Sequence, residues 1–130
     1  MEDHERFTIT EIAEDGEPIA PKAHARKFLS QCGVLVRDTI PITTQEWKKP
    51  AKGDEGVTYV DTRSKIMLFR KLLVNFTLPE PTEAERENDR PDPEDPELNI
   101  VQRRVKKWVL KKMAVQFNGY KKKLDNMFVK

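Results

Sequence analysis

The sequence predicts a small, mostly α domain, and three observations predict it. Apolar residues recur at Val101, Val105, Val109, Met113, Phe117, Tyr120, Leu124 and Phe128, in steps of four and three residues, which is the helical period. A second stripe of that period, Ile66, Phe69, Leu72, Leu73 and Phe76, runs through residues 62–77. A third, Ala25, Phe28, Leu29 and Cys32, follows Pro21, which suits a first helical turn because its missing N–H would be unpaired there anyway. The expected architecture is a small helical domain with a long C-terminal basic amphipathic helix and one short extended element.

Residues 1–20 carry seven acids against Arg6 and few apolar groups. That composition predicts an acidic disordered tail, although Phe7 and Ile9 alternate with Thr8 and Thr10 in the manner of a short strand. Residues 21–128 are expected to form one domain. Its first helix spans 22–32 and ends at Gly33, where positive φ is cheap. His24 falls off the apolar stripe and is expected in solvent. The β-branched run from Val34 to Ile42 is the expected extended element, and Pro41 keeps it from being a central strand. Thr43-Thr44-Gln45-Glu46 has the form of a capping box, so a short helix over 43–48 is expected with Trp47 as its buried anchor. Asp61 or Thr62 can cap the helix at 62–77.

Residues 79–97 hold five prolines, nine acids and only two bases. Such a segment buries too little apolar area to offset its ordering entropy, and it reads as an extended acidic linker. The helix over 98–128 follows. Gly119 is its weak point, costing about 1 kcal/mol relative to alanine. Tyr120, Leu124 and Phe128 stay in phase with Met113 and Phe117, which favours one unbroken helix. The expected core is Trp47, Phe69, Leu72, Phe76, Trp108 and Phe117, with Phe28 and Leu35.

Charge is segregated in blocks behind a net of +2. Residues 98–130 carry ten bases against Asp125. Arg103, Arg104, Lys106, Lys107, Lys111, Lys112, Lys121, Lys122 and Lys123 follow one another without an intervening acid. Isolated surface helices normally mix signs to gain pairs one turn apart. This pattern points to phosphate contact, which gives affinity with little sequence choice. The linker, of opposite sign, is a candidate to fold back and screen the helix. The alternative is a protein-interaction module. The apolar stripe is longer than residues 21–78 are expected to cover, so Trp108, Phe117, Tyr120, Leu124 and Phe128 are candidates to meet a second copy or an acidic protein partner.

The order of aromatic and basic positions resembles the plant Ptta/En/Spm-type transposase family of CACTA transposons. The resemblance rests on Cys32-Gly33-Val34-Leu35-Val36-Arg37-Asp38, Ile40-Pro41-Ile42-Thr43 and Trp47. It continues through the stretch from Phe69 to Pro79, Val105 to Met113, and Phe117-Asn118-Gly119-Tyr120-Lys121-Lys122. It covers about residues 28–128 without the acidic linker. It implies a short, stand-alone, transposon-derived plant protein that resides in the nucleus and serves the nucleoprotein function of the element.

No catalytic activity is expected. An active transposase needs three acidic metal ligands on a rigid scaffold, and the acids here lie mostly in the tail and linker. His4, His24 and Cys32 are the only His and Cys residues, with no spacing of a known metal site. No glycine-rich phosphate loop occurs, and no cofactor is expected. A single cysteine excludes an internal disulfide and fits a reducing compartment. No signal peptide and no apolar run near the roughly 20 residues of a membrane span are visible. The expected location is intracellular, nuclear or cytoplasmic, without secretion or membrane insertion.

Overall fold

Pro21 sets the start of helix α1, which spans Lys22–Thr39 in a computed structural model describing residues 6–41, 43–50, 56–93 and 95–128, with side chains to 123. The expected stop at Gly33 does not occur. Phe28, Cys32 and Val36, one turn apart, are all buried, and Ile40 is buried just beyond the helix. Burial of the Val34–Val36 stretch outweighs a mid-helix glycine and the weak helix propensity of valine. Gly33 instead faces the side chain of Gln116, with room for a Cβ. A Cβ there would stand 3.4 Å from Gln116 Nε2, and that amide donates to the Leu29 carbonyl at 3.3 Å. The extended element expected over 34–42 is therefore mostly helix; Ile42 lies outside the described residues.

Helix α2 spans Thr62–Asn75, and Asp61 caps it by accepting from the Ser64 N–H at 2.8 Å. Leu68, Phe69 and Leu72 fill its inner face. The short helix expected over 43–48 is absent. That stretch is irregular, with bends at Trp47 and Lys48, and bridges to Tyr59 through Glu46. The Gln45 and Glu46 N–H groups donate to the Thr58 carbonyl at 3.2 and 3.0 Å. One turn between Pro41 and Pro50 cannot repay helix nucleation. Trp47 is nonetheless buried, its ring 5.8 Å from that of Phe117.

The expected disordered tail is a structured part of the domain from Arg6 onward. Strand β1, Phe7–Thr8, pairs in parallel with strand β4, Phe76–Thr77, which follows α2 directly. The Arg6 guanidinium donates to the carbonyls of Leu73 and Phe76 at 2.8 and 3.1 Å. Ile9 is fully buried. His24 is half-buried rather than in solvent: Nδ1 is 2.8 Å from the Thr8 carbonyl oxygen, and its ring meets Phe7 edge-on. Strands β2, Glu11–Ile12, and β3, Pro18–Ala20, then form an antiparallel pair. Gly16 closes their turn at φ 97°, and a Cβ there would overlap the Arg104 carbonyl. A few alternating apolar residues anchor this region while its acids stay outward.

The last helix, α4, spans Ile100–Phe128 and runs unbroken through Gly119. Asn99 and Gln102 cap it reciprocally, each side chain accepting from the other's N–H at 2.8–2.9 Å. Leu98 just before the helix and Val101, Val105, Val109, Met113 and Phe117 within it are buried in one core with α1 and α2. Of the expected core, Trp108 and Leu35 are half-buried at its margin and the rest are buried.

Residues 79–97 are not a free linker. A short helix α3, Glu83–Glu87, carries a capping box between Thr82 and Glu85. Pro81 and Asp95 are buried. What holds the segment is ion pairing with arginines on α2 and α4, a contribution that composition alone does not reveal.

If the N-terminal strand belongs to the core, Ile9→Ala should destabilise the chain by about 2–5 kcal/mol. A urea denaturation midpoint unchanged by that substitution would restore the picture of a detached tail.

Candidate nucleic-acid interface

The basic run on α4 divides into a neutralised part and an open part. Arg103 pairs with Asp89 and donates to the Leu98 carbonyl at 2.7 Å. Arg104 pairs with Glu85 at 3.1 Å. Both carboxylates come from the acidic 79–97 segment, so that segment folds back on the first turn and a half of α4. A third arginine, Arg70 on α2, reaches Asp95 at 2.5 Å and Glu97 at 3.0 Å. The sequence carried the signal for these pairs only as opposite charge in neighbouring blocks.

Beyond Arg104 the side chains differ by helical position. Lys106 and Lys112 are half-buried, and Lys112 Nζ lies 5.6 Å from the Trp108 ring centre, a cation–π contact. Lys121 is also half-buried. Lys107, Lys111, Lys122 and Lys123 are exposed and have no carboxylate partner among the described residues. Lys107, Lys111 and Lys122 are four and eleven residues apart, close to one and three turns, so they share an outward face. They span about 22 Å, roughly two-thirds of the ~34 Å turn of B-DNA.

Above the N-terminal half of α4 lies an open groove of about 810 Å³. Arg103, Arg104, Lys107, Lys111 and Trp108 line it together with Glu14, Asp15 and Asp92. Lys107 and Lys111 thus open onto a mixed-charge groove, while Lys122 lies three turns on, past exposed Asn118 and Val115.

The residues proposed for a partner chain are dispersed. Phe117 is 2% exposed and packs on Trp47 within its own chain, so it is not available to a partner. Trp108 is half-buried beside Phe28, ring centres 6.5 Å apart. Tyr120 is half-buried. The side chains of Leu124 and Phe128 lie outside the described residues.

Cys32 lies in the core, and burial pushes its thiol up to about 12. It stays protonated near neutrality and is no nucleophile. Among the described residues, no three His, Cys, Asp or Glu side chains gather where they could hold a metal ion. None of the described helices is long and apolar enough to cross a membrane. No protein-family model matches the chain, and no curated protein or solved structure matches it.

Two carboxyls, half-buried Glu85 and exposed Asp61, link stability to pH. The Thr82 N–H, with help from Arg104, holds Glu85 below its ordinary 4.5. The Ser64 N–H holds Asp61 below its ordinary 3.8. As pH falls, the unfolded chain takes up these protons before the folded chain does. Their stabilisation is therefore complete above the ordinary values and is lost as pH drops through the lower folded ones. Melting temperature should be level from pH 7 to about 5 and fall below about 4.5. The Glu85→Gln, Asp61→Asn variant should show a shallower fall; an identical acid limb would exclude these two groups as its source.

Proposed function

We propose that the chain is a non-catalytic nucleic-acid-binding protein, transposon-derived as its resemblance implies, that contacts DNA phosphates through α4. The observation that carries this reading is the line of Lys107, Lys111 and Lys122, exposed on one rigid helix face without carboxylate partners among the described residues. A helix held by its opposite face fixes the spacing of such charges, and each phosphate they neutralise releases counterions. Lys123 and the half-buried Lys106 and Lys121 flank the line. Three lysines spread over about 22 Å of one helix face suit phosphate contact along the backbone, so affinity should exceed sequence preference. A protein of this kind would act in the nucleus or cytoplasm.

In this reading Arg103 and Arg104 are held in reserve. Asp89 and Glu85 occupy them as phosphates would, and the acidic segment competes with DNA for the N-terminal end of α4. The dimer alternative is weaker, because Phe117 is already used within the chain's own core.

Binding to a labelled duplex should weaken steeply with salt. Replacing Lys107, Lys111 and Lys122 with alanine should lower the slope of log K against log salt by about 0.9 for each phosphate that is no longer neutralised. A flat salt titration, with a salt-resistant species near twice 15.2 kDa, would sink the proposal.

Glu85→Gln with Asp89→Asn should tighten duplex binding severalfold at low salt, and less at high salt. Unchanged affinity at both salts would show that the two arginines take no part.

A further inference from the structure

The outward side of α2 is not the polar back of an amphipathic helix. Met67 and Val74 are 42% and 57% exposed, and Ile66 is half-buried beside them. Together with Arg63, Arg70 and Lys71 they line a shallow groove of about 390 Å³. Their positions repeat at three and four residues, so they form one strip about 16 Å long. Basic and aliphatic side chains share it, and no acid lines it.

We propose that this strip docks a short acidic, amphipathic helical segment of a partner protein. The aliphatic side chains of that segment would lie against Ile66, Met67 and Val74, and its flanking carboxylates would meet Arg63 and Lys71. The helical spacing of the apolar positions matches recognition of a helix through anchors one turn apart. The charge is complementary to an acidic occupant. Carboxylates already seat at the edge of this strip, where Arg70 holds Asp95 at 2.5 Å and Glu97 at 3.0 Å.

A second copy of the chain fits poorly. A two-fold contact brings the same patch against itself, so six bases from the two copies would crowd one small contact that no acid lines. Three aliphatic side chains also fall well short of the roughly 800 Å² per partner of a stable interface. Nucleic acid fits poorly as well. Phosphate gains nothing from Met67 and Val74, and Arg70 is already engaged by two carboxylates. This surface lies on a different helix from the lysine line and does not depend on it.

The test is a titration of the isotope-labelled full chain, followed by NMR, with a synthetic peptide of about fourteen residues. The peptide carries leucines at positions one turn apart and glutamates beside them. The Met67 and Val74 methyl signals should shift saturably, with Kd on the order of 100 µM, while the Lys107 and Lys111 amides stay still. Met67→Gln with Val74→Gln should weaken binding tenfold or more without lowering the melting temperature, because both side chains are exposed. Arg63→Gln with Lys71→Gln should weaken it and flatten its salt dependence. Any of four results overturns the proposal: no saturable shift at millimolar peptide; equal binding by a scrambled peptide of the same composition; displacement of the peptide by a short oligonucleotide that shifts the Met67 methyl; or self-association through this strip without peptide.

Discussion

Everything in this domain depends on covering the apolar stripe of α4. Val101, Val105, Val109, Met113 and Phe117 are each 4% exposed or less. No other described element presents so many buried side chains in one line. Helix α1 supplies most of the cover through Phe28, Cys32 and Val36, and α2 adds Leu68, Phe69 and Leu72. The demand explains α1's length. A helix stopping at Gly33 would leave Val36 and the turn around it off the stripe. Burying side chains of this size contributes about 1.5–3 kcal/mol each, more than the cost of one mid-helix glycine.

The same helix imposes a second constraint, which is electrostatic. Its polar faces concentrate positive charge, and repulsion among like charges works against a compact state. The acidic 79–97 segment relieves part of that repulsion by pairing with Arg103 and Arg104. A further arm of the segment ties to Arg70 on α2, where Asp95 is buried. Removing one partner of a buried charge is costlier than the pair is worth. The Asp95–Arg70 contact is therefore best understood as fixing where the segment runs. Under the proposed reading, folding and DNA contact draw on the same charges, so what the segment neutralises sets what remains for phosphate. The lysines left over lie further along α4 and on its outward side.

The parts of the candidate interface were unequally legible. The lysine and arginine positions, and the unbroken helix that presents them, follow from composition and from phase kept across Gly119. Which of them are open does not. Lys107 and Arg104 look alike in the sequence, yet one is exposed and the other is tied to Glu85. Phe117 and Tyr120 both continue the apolar stripe, yet Trp47 covers the first. The N-terminal residues show the same limit. Phe7 and Ile9 are a minority within an acidic stretch, and only the pairing of Phe7–Thr8 with Phe76–Thr77 and the Ile9 N–H bond to Thr77 order them.

By itself the sequence determined a mostly α domain, three of its helices by the phase of their stripes, the identity of most of the core, and the segregation of charge. These are local or periodic properties, and the chain carries them before it folds. Tertiary structure decided the end of α1, the non-helical form of the Trp47 stretch, the docking of the N-terminal strand and the course of the acidic segment. Each rests on contacts between residues distant in the chain, such as Ile9 with Thr77 or Arg104 with Glu85. Local propensity differs there by about 1 kcal/mol or less, so a single buried side chain or well-placed ion pair tips the choice.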